Sequence, residues 1–130
     1  MTETEKITIN VGAVDLGKID LLVEHGHYSN RTDFIRSAIR SQLDKHTIEV
    51  QQAVVRSSYV VGALSYSRAD FEKYKAKNEQ LKASVVGYLN LADDISPTLA
   101  VEVVESIHVY GIFQAKSEVK DALLKAGKIK

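Results

Sequence analysis

Seventeen Lys and Arg are balanced by 17 Asp and Glu over 130 residues, so the formal net charge is +0 and a nucleic-acid partner would have to be held by the placement of charges, not by their sum. The chain has no cysteine, which excludes disulfides, thiolate metal sites and cysteine nucleophiles and fits a reducing cytoplasm. A hydrophobic content of 45% with 26% charged residues describes a foldable chain of one or two small domains; its polar first six residues are no signal peptide, and no run reaches the length of a membrane span.

The chain first becomes regular at Lys6-Ile7-Thr8-Ile9-Asn10-Val11. Strict alternation predicts a strand with Ile7, Ile9 and Val11 on one side and Lys6, Thr8 and Asn10 on the other. Such a strand at a chain start needs a partner strand, because half an apolar face and a row of unpaired backbone groups are unstable in water. Gly12 and Asp15 mark a turn and the start of a helix whose stripe is Leu16, Ile19, Leu22 and Val23 and whose end is Gly26. Asn30 reads as the N-cap of a second helix, with Asp33 completing a variant capping box and Arg31 and Thr32 in the first turn. Phe34, Ile35, Ala38, Ile39 and Leu43 form its apolar face. No Gly or Pro occurs from Arg31 to Arg56, so the second helix is expected to run on well past Leu43 as a connector, with His46 on it.

Strand, helix, turn and helix within about forty residues, with the segment Tyr28-Ser29-Asn30-Arg31-Thr32-Asp33-Phe34-Ile35-Arg36 opening the second helix, resemble the ribbon-helix-helix family of bacterial repressors, the CopG, Arc and MetJ class. The resemblance covers about a third of the chain, roughly residues 6–45. It implies an intertwined homodimer whose two strands pair into an antiparallel ribbon in the major groove of double-stranded DNA. Carried over residue by residue, Lys6, Thr8 and Asn10 would touch base edges. Their chemistry agrees: Lys donates to guanine, Asn pairs with adenine, and Thr serves either. Asn30, Arg31 and Thr32 stand at the start of the second helix, where free N–H groups and the positive dipole end suit a phosphate. Residues 1–46 nevertheless hold six Lys or Arg against seven Asp or Glu, so a weak non-specific grip is expected.

From Tyr59 the chain repeats itself. Tyr59-Val60-Val61-Gly62-Ala63-Leu64, Ser84-Val85-Val86-Gly87-Tyr88-Leu89 and His108-Val109-Tyr110-Gly111-Ile112-Phe113 share one pattern, with glycines 25 and then 24 positions apart. Each is followed by a helix signal: Ser67 with Asp70, Ser96 with Pro97, and Ser117 ahead of Val119, Leu123 and Leu124. One strand and one helix per unit predicts a small stacked βα array, and glycines at one phase predict a column of close backbone approach. The competing arrangement is an antiparallel sheet under helices, like the regulatory domain of nickel-responsive repressors in the same family. The nickel site of those regulators has no counterpart, since His108 is the second half's only histidine.

The fold class is therefore α+β: an N-terminal ribbon-helix-helix over residues 1–46, a helical connector over 47–58, and a C-terminal βα domain over 59–130 that oligomerises, senses a ligand or contacts a protein partner. No cofactor or metal is expected. His25 and His27 lack a third ligand at helical spacing, Asp93 and Asp94 fit the approach to the helix at Ser96, and the Lys/Glu-rich run from Arg68 to Lys82 reads as a solvated helix face. No enzyme motif is present. The expected function is a sequence-specific transcriptional regulator, a repressor by family habit, in the cytoplasm on the bacterial nucleoid, as a homodimer with assembly on tandem sites in view. The alternatives are an antitoxin and a structural scaffold built through the C-terminal repeats.

Overall fold

A computed structural model describes residues 3–129 as six helices and three strands. The chain divides into two compact units, one from Lys6 to Ala53 and the other comprising residues 3–5 and 54–129.

The first unit holds α1 (Ala13–Glu24), α2 (Arg31–Lys45) and the beginning of α3 (Thr47–Ser57). Helix α1 starts where Gly12 and Asp15 placed it, with Gly12 as the N-cap and Asp15 in the first turn. It ends in a Schellman motif: Gly26, at φ +83°, donates to the Val23 carbonyl and His27 donates to the Leu22 carbonyl. Asn30 caps α2 as expected, its side chain accepting from the Asp33 N–H at 2.8 Å. Asp33 reaches back past the N-cap to the N–H of Ser29 at 2.9 Å, so the box is one residue wider than the usual one. Tyr28 meets Phe34 edge-on with ring centroids 5.0 Å apart, pinning the chain's entry into α2.

The expectation that the second helix runs on unbroken well past Leu43 is corrected. Helix α2 ends at Lys45, His46 adopts φ −110° and ψ 20°, and α3 begins at Thr47. The Thr47 hydroxyl donates to the Asp44 carbonyl at 2.8 Å, and the His46 N–H turns to the Leu43 carbonyl three residues back. A side chain competing for backbone acceptors interrupts the helix without Gly or Pro.

The second unit carries β1 (Val60–Tyr66), α4 (Arg68–Ala76), β2 (Leu81–Leu91), α5 (Pro97–Val103), β3 (Val104–Gln114) and α6 (Ser117–Lys125). The strands form one parallel sheet in the order β1-β2-β3, which settles the arrangement as the βα array and not the antiparallel alternative. One sheet face is covered by helices. Val85, Leu89 and Leu91 of β2 share a core with Phe71 of α4, Leu99, Ala100 and Val103 of α5, and Val119 and Leu123 of α6. The intervening β2 residues Lys82, Ser84, Val86, Tyr88 and Asn90 fall on the other face, and the burial of β2 alternates accordingly. There Asn90 donates to Ser65 at 3.0 Å and the Tyr88 hydroxyl to Gln114 at 2.7 Å, tying each outer strand to β2.

The three repeat glycines stand side by side, Gly62 against Gly87 and Gly87 against Gly111. All have φ between +124° and +141°, a region closed to most L-residues. A Cβ on Gly87 would lie 2.1 Å from the Gly62 carbonyl oxygen, and one on Gly111 would lie 2.1 Å from that of Gly87. The column of close approach expected from the spacing is present. Past α6 the chain returns to β3: the Ile107 N–H donates to the Lys128 carbonyl at 2.7 Å, and Ile129 forms a parallel bridge with Ile107.

Two capping expectations shift. The Ser67/Asp70 box forms in full, but Lys116, without a side-chain bond, precedes α6, and Ser117 is its first residue. Asp94 serves α4 instead of the helix at Ser96, accepting from the Arg68 N–H at 3.0 Å.

Candidate nucleic-acid interface

The residues expected to read bases lie on an open segment. Lys6, Thr8 and Asn10 are exposed, and so are Ile7 at 79% and Ile9 at 60%. No ladder forms over residues 6–11 in the single chain. The predicted strand is absent here for the reason it was expected to need a partner: an alternating segment without a second strand has nothing to bond to. The same shortage runs through the unit. Among its described residues only Ile19 is buried, while Ile39 and Leu43 on the apolar stripe of α2 are 53% and 59% exposed. These exposed stripes are apolar surface without a cover inside the chain.

At the start of α2 the expected phosphate ligands come together. Asn30 is occupied in capping, while the N–H groups of Arg31 and Thr32, in the first helical turn, have no acceptor within the helix. Arg31 is engaged as well. Its Nε and Nη2 donate to the two carboxylate oxygens of Asp20 at 2.8 and 2.9 Å, a fork on the neighbouring helix. The Arg31 hydrogen bond holds the Asp20 carboxyl below the usual carboxylate range, and Asp20 in turn raises the guanidinium. Asp20 is therefore part of this site and was missed from the sequence; eleven positions from Arg31, it carried no local signal. The fork uses two of the five guanidinium N–H groups, leaving three for an anion.

A second cluster was also missed. The Tyr59 hydroxyl lies 2.6 Å from Nδ1 of His108, and the rings of Tyr59, His108 and Tyr110 sit 4.7–5.4 Å apart between centroids. The signal was available: Tyr59 and His108 open two of the three repeats. Among the described residues no three His, Asp or Glu side chains come together as a metal site, and no helix is long and apolar enough to cross a membrane.

An alternating amino-terminal segment without a ladder is thus followed by two helices, the second opening on a cap, an arginine and free N–H groups. The family model for ribbon-helix-helix transcriptional regulators matches residues 2–120, and the chain belongs to that family of DNA-binding proteins. It is similar to the transcriptional regulator CdrS of Halobacterium salinarum, 35% identical over 43 residues that make up 33% of this chain and 78% of the relative. No solved structure matches the chain.

Proposed function

We propose that the protein is a homodimeric, sequence-specific repressor that reads the major groove with a two-stranded ribbon, one strand from each copy. The observation that carries this reading is the exposure of Ile7 and Ile9 together with Ile39 and Leu43 in a chain of this family. One partner of the same kind would cover both stripes. Pairing residues 6–11 of two copies would put Lys6, Thr8 and Asn10 on the outer face of the ribbon, where they specify bases. Asn30, Arg31 and Thr32 at the head of α2 would flank it as phosphate contacts that set register. Residues 1–46 are the DNA-binding part on this reading, 47–58 the connector and 59–130 the assembly or partner-binding part. The ordered sheet and helices of residues 60–125 speak against an antitoxin whose carboxy-terminal segment folds only on its toxin.

Selection of binding sites from randomised duplex DNA, at several salt concentrations, tests the assignment. Lys6→Ala and Asn10→Ala should each relax preference at particular base pairs, by about 1–3 kcal/mol per lost contact. Arg31→Ala should weaken all sites alike and flatten the salt dependence. Recovery of the parental sequence preference with parental affinity by both ribbon variants would remove the ribbon from the reading surface.

A further inference from the structure

Among the described residues, neither outer edge of the second unit's parallel sheet carries a full partner strand. The outer edge of β1 is unpaired, and beyond the bridge at Ile107 the outer edge of β3 has no partner strand among the described residues. Natural edges are guarded by charged side chains, proline or bulges. Residues 59–66 and 109–114 contain no Lys, Arg, Asp, Glu or Pro, and Val61 and Tyr110 are 65% and 56% exposed. Two uncharged, β-prone edges on one molecule call for a strand to lie against them.

We propose that β1 of one chain adds in parallel to β3 of a second copy, continuing the sheet from chain to chain. The register within the chain fixes the fit. Val60 pairs with Val85 and Val85 with Val109, and the pairing proceeds in step to Ser65, Asn90 and Gln114. The uncovered stretch of β3, residues 109–114, is thus the length of residues 60–65. Among the described residues the edge is occupied at Ile107, by Ile129, ahead of that stretch.

The glycine column supplies an independent reason. Gly87 and Gly111 are required because the preceding glycine's carbonyl occupies the place of a Cβ, yet at Gly62 nothing lies within 4 Å, although it keeps the same conformation at φ +141°. A β3 strand from a second copy would bring the Gly111 carbonyl to Gly62 in the relation that Gly62 already holds to Gly87. Helix α6 follows β3 as α4 follows β1 and α5 follows β2, and it packs beside α5, so it stands ready to cover the new seam. Such a contact is head-to-tail. The growing assembly keeps one free β1 edge at one end and one free β3 edge at the other, and addition proceeds to a ring or a filament.

The interface is independent of the ribbon, so the experiment is done on the full chain without DNA. Disulfide trapping reads cleanly because the chain contains no cysteine. Ala63 and Ile112 both align with Tyr88; across the new seam they would be direct neighbours, about 4.8 Å apart and within disulfide range. Inside one chain β2 separates them by roughly twice that distance, beyond reach. Under a mild oxidant A63C and I112C should each stay single on a non-reducing gel. Their mixture should give a two-chain product, and the double variant should give a ladder of two, three and more chains. Ser65→Cys with Gln114→Cys, one pleat further along the same register, serves as a second pair should the first fail to fold. Self-linking of A63C alone would mean antiparallel pairing of two β1 edges and would overturn the proposal, as would a mixture that forms no bond. A ribbon that proved not to read DNA would leave these outcomes unchanged.

Discussion

If Arg31 is the phosphate contact proposed for it, its pairing with Asp20 would let a chain of zero net charge meter its grip on a polyanion. The guanidinium is present at the head of α2, yet a carboxylate on α1 holds two of its N–H groups at 2.8 and 2.9 Å. Both side chains are about half exposed, so the pair adds little to stability, and on the proposed reading it would act through competition for the arginine. Asp20→Asn is expected to free Arg31, remove one negative charge and raise non-specific DNA affinity, steepening the plot of log affinity against log salt by about one unit. Fluorescence anisotropy of labelled duplex over a salt series measures this; an unchanged or flatter slope would show that Asp20 aims Arg31 at the backbone. The pH dependence has a definite sign. Because the Asp20 pKa is depressed in the folded chain, the contribution of the pair is complete above the ordinary Asp value of about 3.9 and is lost as pH falls through the lower folded value. The pair therefore stays closed throughout the neutral range.

At the scale of elements, the glycine column separates two constraints that usually coincide. Gly87→Ala places a methyl group 2.1 Å from backbone at φ +139°, and neither the carbonyl nor the strand can yield cheaply. Within a single chain, at concentrations too low for chains to add to one another, Gly62→Ala meets only the conformational part, about 1–3 kcal/mol. Urea unfolding should show Gly62→Ala folded but weakened, and Gly87→Ala destabilised by well over 3 kcal/mol, a large share of the 5–15 kcal/mol typical of a domain. Equal losses in the two variants would mean that the close approach at Gly87 is not tight. This column was legible in the sequence because a parallel array repeats its register as a sequence period, and the Ser67 and Asn30 caps were legible because capping is local. The break at His46 was not, since the signals used for helix ends were Gly and Pro, and a threonine hydroxyl taking the Asp44 carbonyl leaves neither. Pairings set by the fold, such as Arg31 with Asp20 and Asp94 with Arg68, span 11 and 26 positions and have no periodic trace.

For the whole molecule, the contrast between the units matters most. Residues 60–125 enclose a core of fourteen buried side chains, whereas the described part of 6–53 buries one. On the proposed homodimer, the smaller unit takes its cover from a second copy, and folding and association should then be one event. Its helical signal is expected to melt at a temperature that falls by several degrees with each tenfold dilution, since tenfold in concentration is about 1.4 kcal/mol. Circular dichroism at 222 nm over two decades of protein concentration tests this; a midpoint independent of concentration would mean that α1 and α2 stand without a partner.

The 24- and 25-residue separation of paired strands also bears on how the chain is made. Each strand meets its partner across one short helix, so contacts are local for a β structure and the sheet can grow in the order of synthesis. Strand β1, with no charge to protect it, waits only for the next repeat to leave the ribosome, roughly one to five seconds at 5–20 residues per second. The repeat thus limits the time for which a sticky strand is left alone in a crowded cell.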